Sequence, residues 1–512
     1  MSANEWLAIL PFLLVAGLAL AVILADLAWP RRDGLILGLS ATGLVVALVV
    51  TLVVGPLPGG RGALPAEGLV LFGGLYESDL LTTLLDALVI SIGLLTILFA
   101  PDYLAPRRLP MAEFSATLLF AISGAMLLAG GQDLLVLFLG LELLVLPSYL
   151  LTGFAKRDGL STEGAIKYFL LGSFSSAILL FGLAFVLGYT GSTQVGAIAE
   201  SLGALVDGLT AESGALPLAL AMGLALMAVG VLFKIAAVPF HYWTPDAYQG
   251  SPTPVTGYLS VGPKVAAFAL ILRLFVEALG PLRGEWAILV AVLAAVTMTV
   301  GNLAALGQDN IKRMLAYSSI AHTGYIVVGL AVFATADSEA TRTSGIQGVL
   351  FYSVAYAFMN LGAFACVAAL QRRPGVTSQI ATFAGLGYRA PLLALAMTVF
   401  LLSLTGIPPL AGFFAKAVIV LGALEVGGTM SILAVIMMLN AAAAAFYYLR
   451  VVVYMYMRQP PEGAPPVSIG NPTRAGLVVA AVATVTIGLA PFVTAAVLEW
   501  TKAAAEVLTA GS

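Results

Sequence analysis

The sequence predicts an all-α, polytopic membrane protein of about fourteen transmembrane helices. Two observations carry this. Hydrophobic residues make up 61% of the 512 positions and charged residues only 10%, where soluble domains average about 45–50% and about 25%. The apolar residues also fall into runs of about the 20 residues that one crossing needs, separated by short charged or Gly/Pro-rich breaks. A net charge of −3 excludes a nucleic-acid binder, which needs a basic patch. A single cysteine, Cys366, excludes a disulfide framework and a self-contained iron–sulfur cluster.

The runs lie near 5–28, 34–54, 80–100, 111–130, 132–153, 163–189, 215–240, 255–279, 285–306, 311–334, 345–370, 390–422, 427–457 and 474–500. The first carries Glu5 early, lacks a basic lead and is long enough to span, so it reads as a crossing and not as a cleaved signal. The connections 55–79 and 190–214 are Gly-rich and too short for a soluble core. With the N-terminus placed outside, 13 of the 23 Lys and Arg residues fall in loops on the cytoplasmic side, among them Arg31, Arg107, Lys156, Lys312 and Arg372. Only Arg61, Arg283, Arg342 and Lys502 fall on the other side. That bias predicts both termini outside.

A charge at the bilayer centre costs about 2.5–3.5 kcal/mol on insertion scales, which makes it a functional candidate. Arg273 and Arg450 sit near span ends and read as snorkelling; Asp26 and Asp86 read as interfacial. Glu142, Lys234, Lys264 and Lys416 lie deep within their runs, and Lys167 lies about one turn inside its own. One acid and several lysines must face one another, or water, inside a bundle. A carboxylate near a buried lysine favours its charged form and burial alone disfavours it. A change in pairing can therefore switch a proton on or off the amine, as it cannot on arginine.

Two spans are expected to be broken. Pro239 and Pro245 follow Lys234, and Pro408 and Pro409 precede Lys416. Proline removes a helix hydrogen bond, and such breaks persist in a membrane only inside protein or beside a water-filled cavity. Paired interrupted helices in two halves of a chain point to an inverted repeat. Lys234 precedes its break while Lys416 follows its own, so the two lysines do not occupy matching positions. The only histidines are His241 and His322. His322, inside an apolar run, suits a proton shuttle as well as a hydrogen-bonded core group; His241 reads as structural. Two histidines and one cysteine without clustered spacing argue against a metal site, and no nucleotide motif is present.

The stretch VLFKIAAVPFHYWTPDAYQGSPTPVTGYLSVGPKVAAFALILR, with EGAIKYFLLGSFSSAILLFG, IKRMLAYSSIAHTGY and LTGIPPLAGFFAK, resembles the antiporter-like proton-channel family of the respiratory NADH:quinone oxidoreductase (complex I). The YQGSPTPVTGYLSV-x-PK form resembles its N branch more than the L and M branches. The resemblance runs from about 80 to 455. It implies two inverted five-helix repeats: an N-terminal three-helix segment over 1–110, half-channels over 111–280 and 281–457, and a C-terminal helix over 458–512. It also implies a proton relay of Glu142 (the acid expected to pair with Lys234), Lys234, Lys264, His322 and Lys416, with Lys167 in a less settled role.

By the same resemblance the chain carries no cofactor. NADH, FMN, iron–sulfur clusters and quinone are expected on other subunits. Its expected partners are antiporter-like subunit M, the small subunits K, J and A, protons and the lipid of a bacterial cytoplasmic membrane. A subunit of a multi-subunit sodium/proton antiporter is the alternative. A non-conducting membrane scaffold is a rival of another class.

Overall fold

Runs of apolar residues in lipid have no water for their backbone amides and carbonyls, so each run must satisfy them internally, as a helix does. The computed structural model describes residues 2–212, 216–460, 463 and 467–510, and they follow that rule. Helices α1 (Ala3–Ala28), α2 (Asp33–Val54) and α3 (Leu80–Leu104) come first, then α4 (Met111–Gly130), α5 (Leu134–Thr152), α6 (Gly159–Thr190) and α7 (Val195–Glu212). A broken pair, α8 (Leu218–Lys234) and α9 (Trp243–Gly250), leads to α10 (Thr253–Ile271), which continues as a π-helical segment over Leu272–Ala278. Next are α11 (Arg283–Leu306), α12 (Ile311–Thr335), α13 (Glu339–Leu370) and the single turn α14 (Leu386–Arg389). A second broken pair, α15 (Pro391–Thr405) and α16 (Ala411–Val426), precedes α17 (Gly428–Met457), α18 (Asn471–Leu489) and α19 (Pro491–Thr509).

Among the described residues, 12 helical stretches are long and apolar enough to cross a membrane. The other two of the expected fourteen runs are the interrupted ones: 215–240 ends in the break after α8, with α9 just beyond it, and 390–422 is divided between α15 and α16. The sets α4, α5, α6, α8/α9, α10 and α11, α12, α13, α15/α16, α17 share one order, with the fourth member broken in each. Five is an odd number of crossings, so the second set starts at the face opposite to the one where the first set starts.

Three local expectations change. The connection 190–214 contains α7, because Val195, Ile198 and Leu202 recur at helical spacing and are buried. They pack on the segment 272–282, while Gly196 and Gly203 face open space. The connection 55–79 ends in a hairpin, β1 (Leu69–Leu71) antiparallel to β2 (Tyr76–Ser78), with Val70 opposite Glu77. Its turn needs positive φ at Gly73 and Gly74. The apolar run 474–500 is two helices and not one: Pro491 forces Ala490 out of the helical region, to φ −94° and ψ 104°.

The middle of the bundle is α10, buried along its whole length, packed against α3, α4 and α13. Lipid tails are as apolar as leucine, so helices adhere through close packing at small residues. Glycines meet across three interfaces: Gly124 and Gly140 between α4 and α5, Gly182 and Gly223 between α6 and α8, and Gly329 and Gly345 between α12 and α13. A Cβ on Gly345 would lie 2.6 Å from the Gly329 carbonyl oxygen, and backbone cannot yield as a side chain does. Gly345→Ala is expected to destabilise the chain by about 1–3 kcal/mol through overpacking. Gly188→Ala, with nothing within 4 Å of the new atom, is expected to be neutral or stabilising by up to about 1 kcal/mol. Thermal unfolding of the two variants in detergent checks the contrast.

A buried polar axis between two broken helices

Lys264 sits near the middle of α10, one residue after Pro263. Its ammonium donates to the Ser319 carbonyl at 2.7 Å, the Ser319 hydroxyl at 2.7 Å and the Thr323 hydroxyl at 2.9 Å. A lysine has three donors, and here each has an acceptor. Ser319 and Thr323 are four residues apart on α12 and so share a face. Thr323 in turn donates to the Ile235 carbonyl at 2.9 Å, the residue that caps the broken end of α8. The first break is thereby hydrogen-bonded to the central lysine through one hydroxyl.

Lys234 is the last residue of α8. Its ammonium donates to the Ser176 hydroxyl at 2.8 Å and, more weakly, to the Gly172 carbonyl at 3.4 Å, both on α6. Glu142 on α5 is near enough for its charge to act on Lys234. The expected pairing is electrostatic and not a contact ion pair: no salt bridge joins the two, and the half-buried Glu142 keeps Oε1 without a hydrogen-bond partner among the described residues.

Lys416 lies in the first turns of α16, and its ammonium donates to the carbonyls of Thr405 at 2.6 Å and Leu404 at 3.0 Å. These are terminal carbonyls of α15, left without helix partners by the break and at the negative end of its dipole. Gly406 joins the halves with φ +91°, and a Cβ there would come within 3.0 Å of the Lys416 side chain. Lys416 also borders an open cleft of about 450 Å³, between the second break and α17, lined by Phe413, Val420 and Met438.

His322 stands between the two lysines on α12. Its Nδ1 is 2.7 Å from the Tyr352 hydroxyl and its Nε2 is 3.1 Å from the Tyr448 hydroxyl, and Tyr448 bonds onward to Ser318. The Tyr325 ring lies 5.4 Å from the imidazole, and the Lys416 ammonium lies 5.2 Å from the same ring. Ser318, His322 and Tyr325 form one stripe of α12, and Ser319 and Thr323 form the stripe one residue round. This single helix therefore places Lys264 on one side and the histidine leading toward Lys416 on the other.

Five of the six candidate residues fall on this axis: Glu142, Lys234, Lys264, His322 and Lys416. Lys167 does not join the buried set. Its side chain is 42% exposed and bridges Glu163 and Asp246, each at 2.6 Å, and Arg313 holds the other Asp246 oxygen at 2.7 Å. His241 is buried, makes no bond to the axis residues and keeps Nδ1 without a hydrogen-bond partner among the described residues.

Sequence reasoning missed the connecting hydroxyls Ser176, Ser319, Thr323, Tyr352 and Tyr448. The signal for some of them was the polar spacing in YSSIAHTGY, where positions 318 and 322, and 319 and 323, are each four apart. One further reading is corrected. Arg273 does not snorkel but is wholly buried, with Asp79 at 2.9 Å and Glu277 at 3.1 Å. Asp86 is 4% exposed, enclosed by protein at its end of the span. Both lie where α3, the hairpin and the π segment close over one another. Arg450, by contrast, stays partly exposed beside Asp309 at 3.7 Å, as expected at a span end.

Among the described residues no group of three or more His, Cys, Asp or Glu could hold a metal ion. The family model described as NADH:quinone oxidoreductase/Mrp antiporter, TM, matches residues 131–440, which contain Glu142, Lys234, Lys264, His322 and Lys416. NADH-quinone oxidoreductase subunit N 1 of Koribacter versatilis is 40% identical over 508 residues, covering 98% of this chain and 96% of the relative. A chain of respiratory complex I from Thermus thermophilus with bound aureothin superposes with a TM-score of 0.74 at 31% identity, covering 94% of this chain and 98% of that one. A chain of the Mrp complex from Dietzia sp. DQ12-45-1b has a TM-score of 0.81 at 22% identity, covering 99% and 98%, a likeness of fold alone. The chain belongs to the subunit N family of NADH-quinone oxidoreductase, within the NADH:quinone oxidoreductase/Mrp antiporter membrane proteins.

Proposed function

We propose that this chain is the proton-translocating membrane subunit N of an NADH:quinone oxidoreductase. NADH oxidation and quinone reduction take place elsewhere in the complex, and this chain holds none of the redox groups. Protons move along Glu142, Lys234, Lys264, His322 and Lys416 by exchange through the intervening hydroxyls. The observation that carries this reading is the setting of Lys264. All three of its donors meet oxygens on α12, and one of those hydroxyls is bonded to the broken end of α8. A hydroxyl accepts from an ammonium and donates to an amine, so the site serves both states of the lysine without rebuilding.

The sodium/proton antiporter reading shares the fold but has less in its favour. The Mrp likeness stands at 22% identity, against 40% over nearly the whole chain for the subunit N relative. In the assembled complex the neighbours proposed are antiporter-like subunit M and the small subunits K, J and A. The arginine-rich loops face the cytoplasm of a bacterial inner membrane and both termini lie outside. Lys416 borders the open cleft and is the group proposed to pass protons outward.

Lys264→Ala and Lys234→Ala in the assembled complex are expected to lower NADH-driven proton uptake by everted vesicles about tenfold, equivalent to about 1.4 kcal/mol on the barrier. Lys264→Arg keeps a charge but not an exchangeable proton and is expected to fail as badly. Unchanged pumping and quinone reduction in these variants would remove the relay. Lys416→Ala separates relay from scaffold: the relay predicts an assembled complex that pumps poorly, a scaffold an active but poorly assembled one. Gly406→Ala puts a side chain at positive φ and against Lys416, and is expected to cost about 1–3 kcal/mol of stability together with pumping. Thermal unfolding and vesicle acidification read the two effects.

A further inference from the structure

The relay leaves one buried ionic cluster unused. It lies at the end of α10 remote from the α9–α10 turn, where β2, the start of α3, the turn after α4 and the π segment meet. Arg273 is its centre. Its guanidinium reaches Asp79 Oδ2 at 2.9 Å, Glu277 at 3.1 and 3.2 Å, the Thr82 hydroxyl at 3.1 Å and the Ala129 carbonyl at 3.0 Å. Two carboxylates already match its single charge twice over. A third, Glu77, is joined through Gln132, whose one amide nitrogen donates to Glu77 Oε2 at 2.9 Å and to Glu277 Oε1 at 3.1 Å. A fourth, Asp86, lies two turns along α3 from Asp79, close enough for the two charges to interact, with Oδ1 buried and unpartnered among the described residues.

One guanidinium among four partly or wholly buried carboxyl groups is a charge excess that low-dielectric surroundings resist. Like charges brought together on one site cannot all ionise, and one of them keeps its proton. We propose that Glu77, tied to Glu277 through the Gln132 amide, is the member that keeps a proton, and that this makes the Arg273 cluster a proton-binding site separate from the Lys264 axis. Glu77 is the half-exposed member, on the hairpin, and is the one through which the proton exchanges with solvent. Glu277 is the member on the π segment, so protonation changes how tightly Arg273 is shared among α3, the hairpin and the end of α10.

The electrostatics agree. Burial first, then the Asp79 charge, pushes the Glu77 carboxyl up from 4.5 to about 7; Arg273 opposes this and Glu277 adds to it. The buried phenol of Tyr76 adjoins the same charges, and Asp133 caps α5 beside Gln132. The helices packed on the π segment contribute Glu200 and Asp207 from α7, and Lys502, paired with Glu506, from α19. A carboxyl whose value is raised on folding binds more protons folded than unfolded between about 4.5 and about 7. Its contribution therefore favours the folded chain at the low end of that window and is lost as pH rises through about 7.

The test uses the purified full-length chain in detergent and does not depend on pumping. Infrared spectra recorded from pH 5 to pH 9 are expected to show a protonated-carboxyl C=O band that fades near neutrality and is missing in Glu77→Gln. The thermal midpoint of the native sequence is expected to fall across the same interval more steeply than that of Glu77→Gln. Glu277→Gln removes the neighbouring charge and is expected to move the Glu77 titration at least one pH unit lower; it also serves if Glu77→Gln does not fold. A native chain with no carboxyl band near neutrality, or a Glu77 titration indifferent to Glu277→Gln, would overturn the proposal.

Discussion

The constraint on which the structure depends is that an ammonium group is held at the centre of a bundle that offers it no bulk water. Lys264 meets that constraint through α12, which presents Ser319 and Thr323 at the four-residue spacing that puts two hydroxyls and a carbonyl under one ammonium. Thr323 then needs an acceptor of its own, and finds it in Ile235, freed by the end of α8. The break in α8, the register of α12 against α10 and the Gly301 and Gly324 contacts that bring α11 close to α12 all follow from seating that charge.

The two breaks solve the same problem from opposite sides. A helix that stops inside protein exposes carbonyls at its C-terminal end, and a cation is the natural partner for them. At the second break Lys416 supplies that cation from the following helix and binds the carbonyls of Leu404 and Thr405 directly. At the first break Lys234 is itself the terminal residue, so it turns to Ser176 and Gly172 on α6, and Thr323 serves the Ile235 carbonyl in its place. The different order of lysine and proline in the two halves is therefore two ways of neutralising a helix end, within one repeated arrangement of five helices.

Much of this was legible in the sequence, for a physical reason. A charge deep in an apolar run has few explanations, so Glu142, Lys234, Lys264 and Lys416 declared themselves, and prolines beside two of them marked the breaks. What stayed hidden was whatever depends on packing between distant segments. Arg273 sits near a span end, where snorkelling is the common outcome, and only the meeting of α3 with the π segment shows it enclosed by Asp79 and Glu277. The tyrosines around His322 come from α13 and α17, and nothing local marks them as its partners. Helix α7 was concealed by its glycines, which face open space while its apolar stripe is buried. The break at Ala490 was visible in Pro491 but sat inside an unbroken apolar run.

The cations divide by the kind of partner each has, carboxylates for some and uncharged oxygens for others, the buried Lys312 among the latter through the Gln249 and Ser251 carbonyls. Arg273 is gripped by carboxylates, and Lys167 and Arg313 share Asp246. A carboxylate partner holds a base in its charged form, and arginine has no neutral form within reach, so these contacts fasten helices together. Lys234, Lys264 and Lys416 are bonded to hydroxyls and carbonyls, which carry no net charge. Neutral oxygens satisfy an ammonium's donors without binding its proton, and the hydroxyls among them can reverse to meet the amine. The one acid of the axis, Glu142, stands off from Lys234 instead of clasping it. The Lys234 ammonium is satisfied by Ser176 and Gly172 on α6 instead. On the proposed relay, the open gap keeps the Lys234 proton within reach of a change in the position of a single carboxylate.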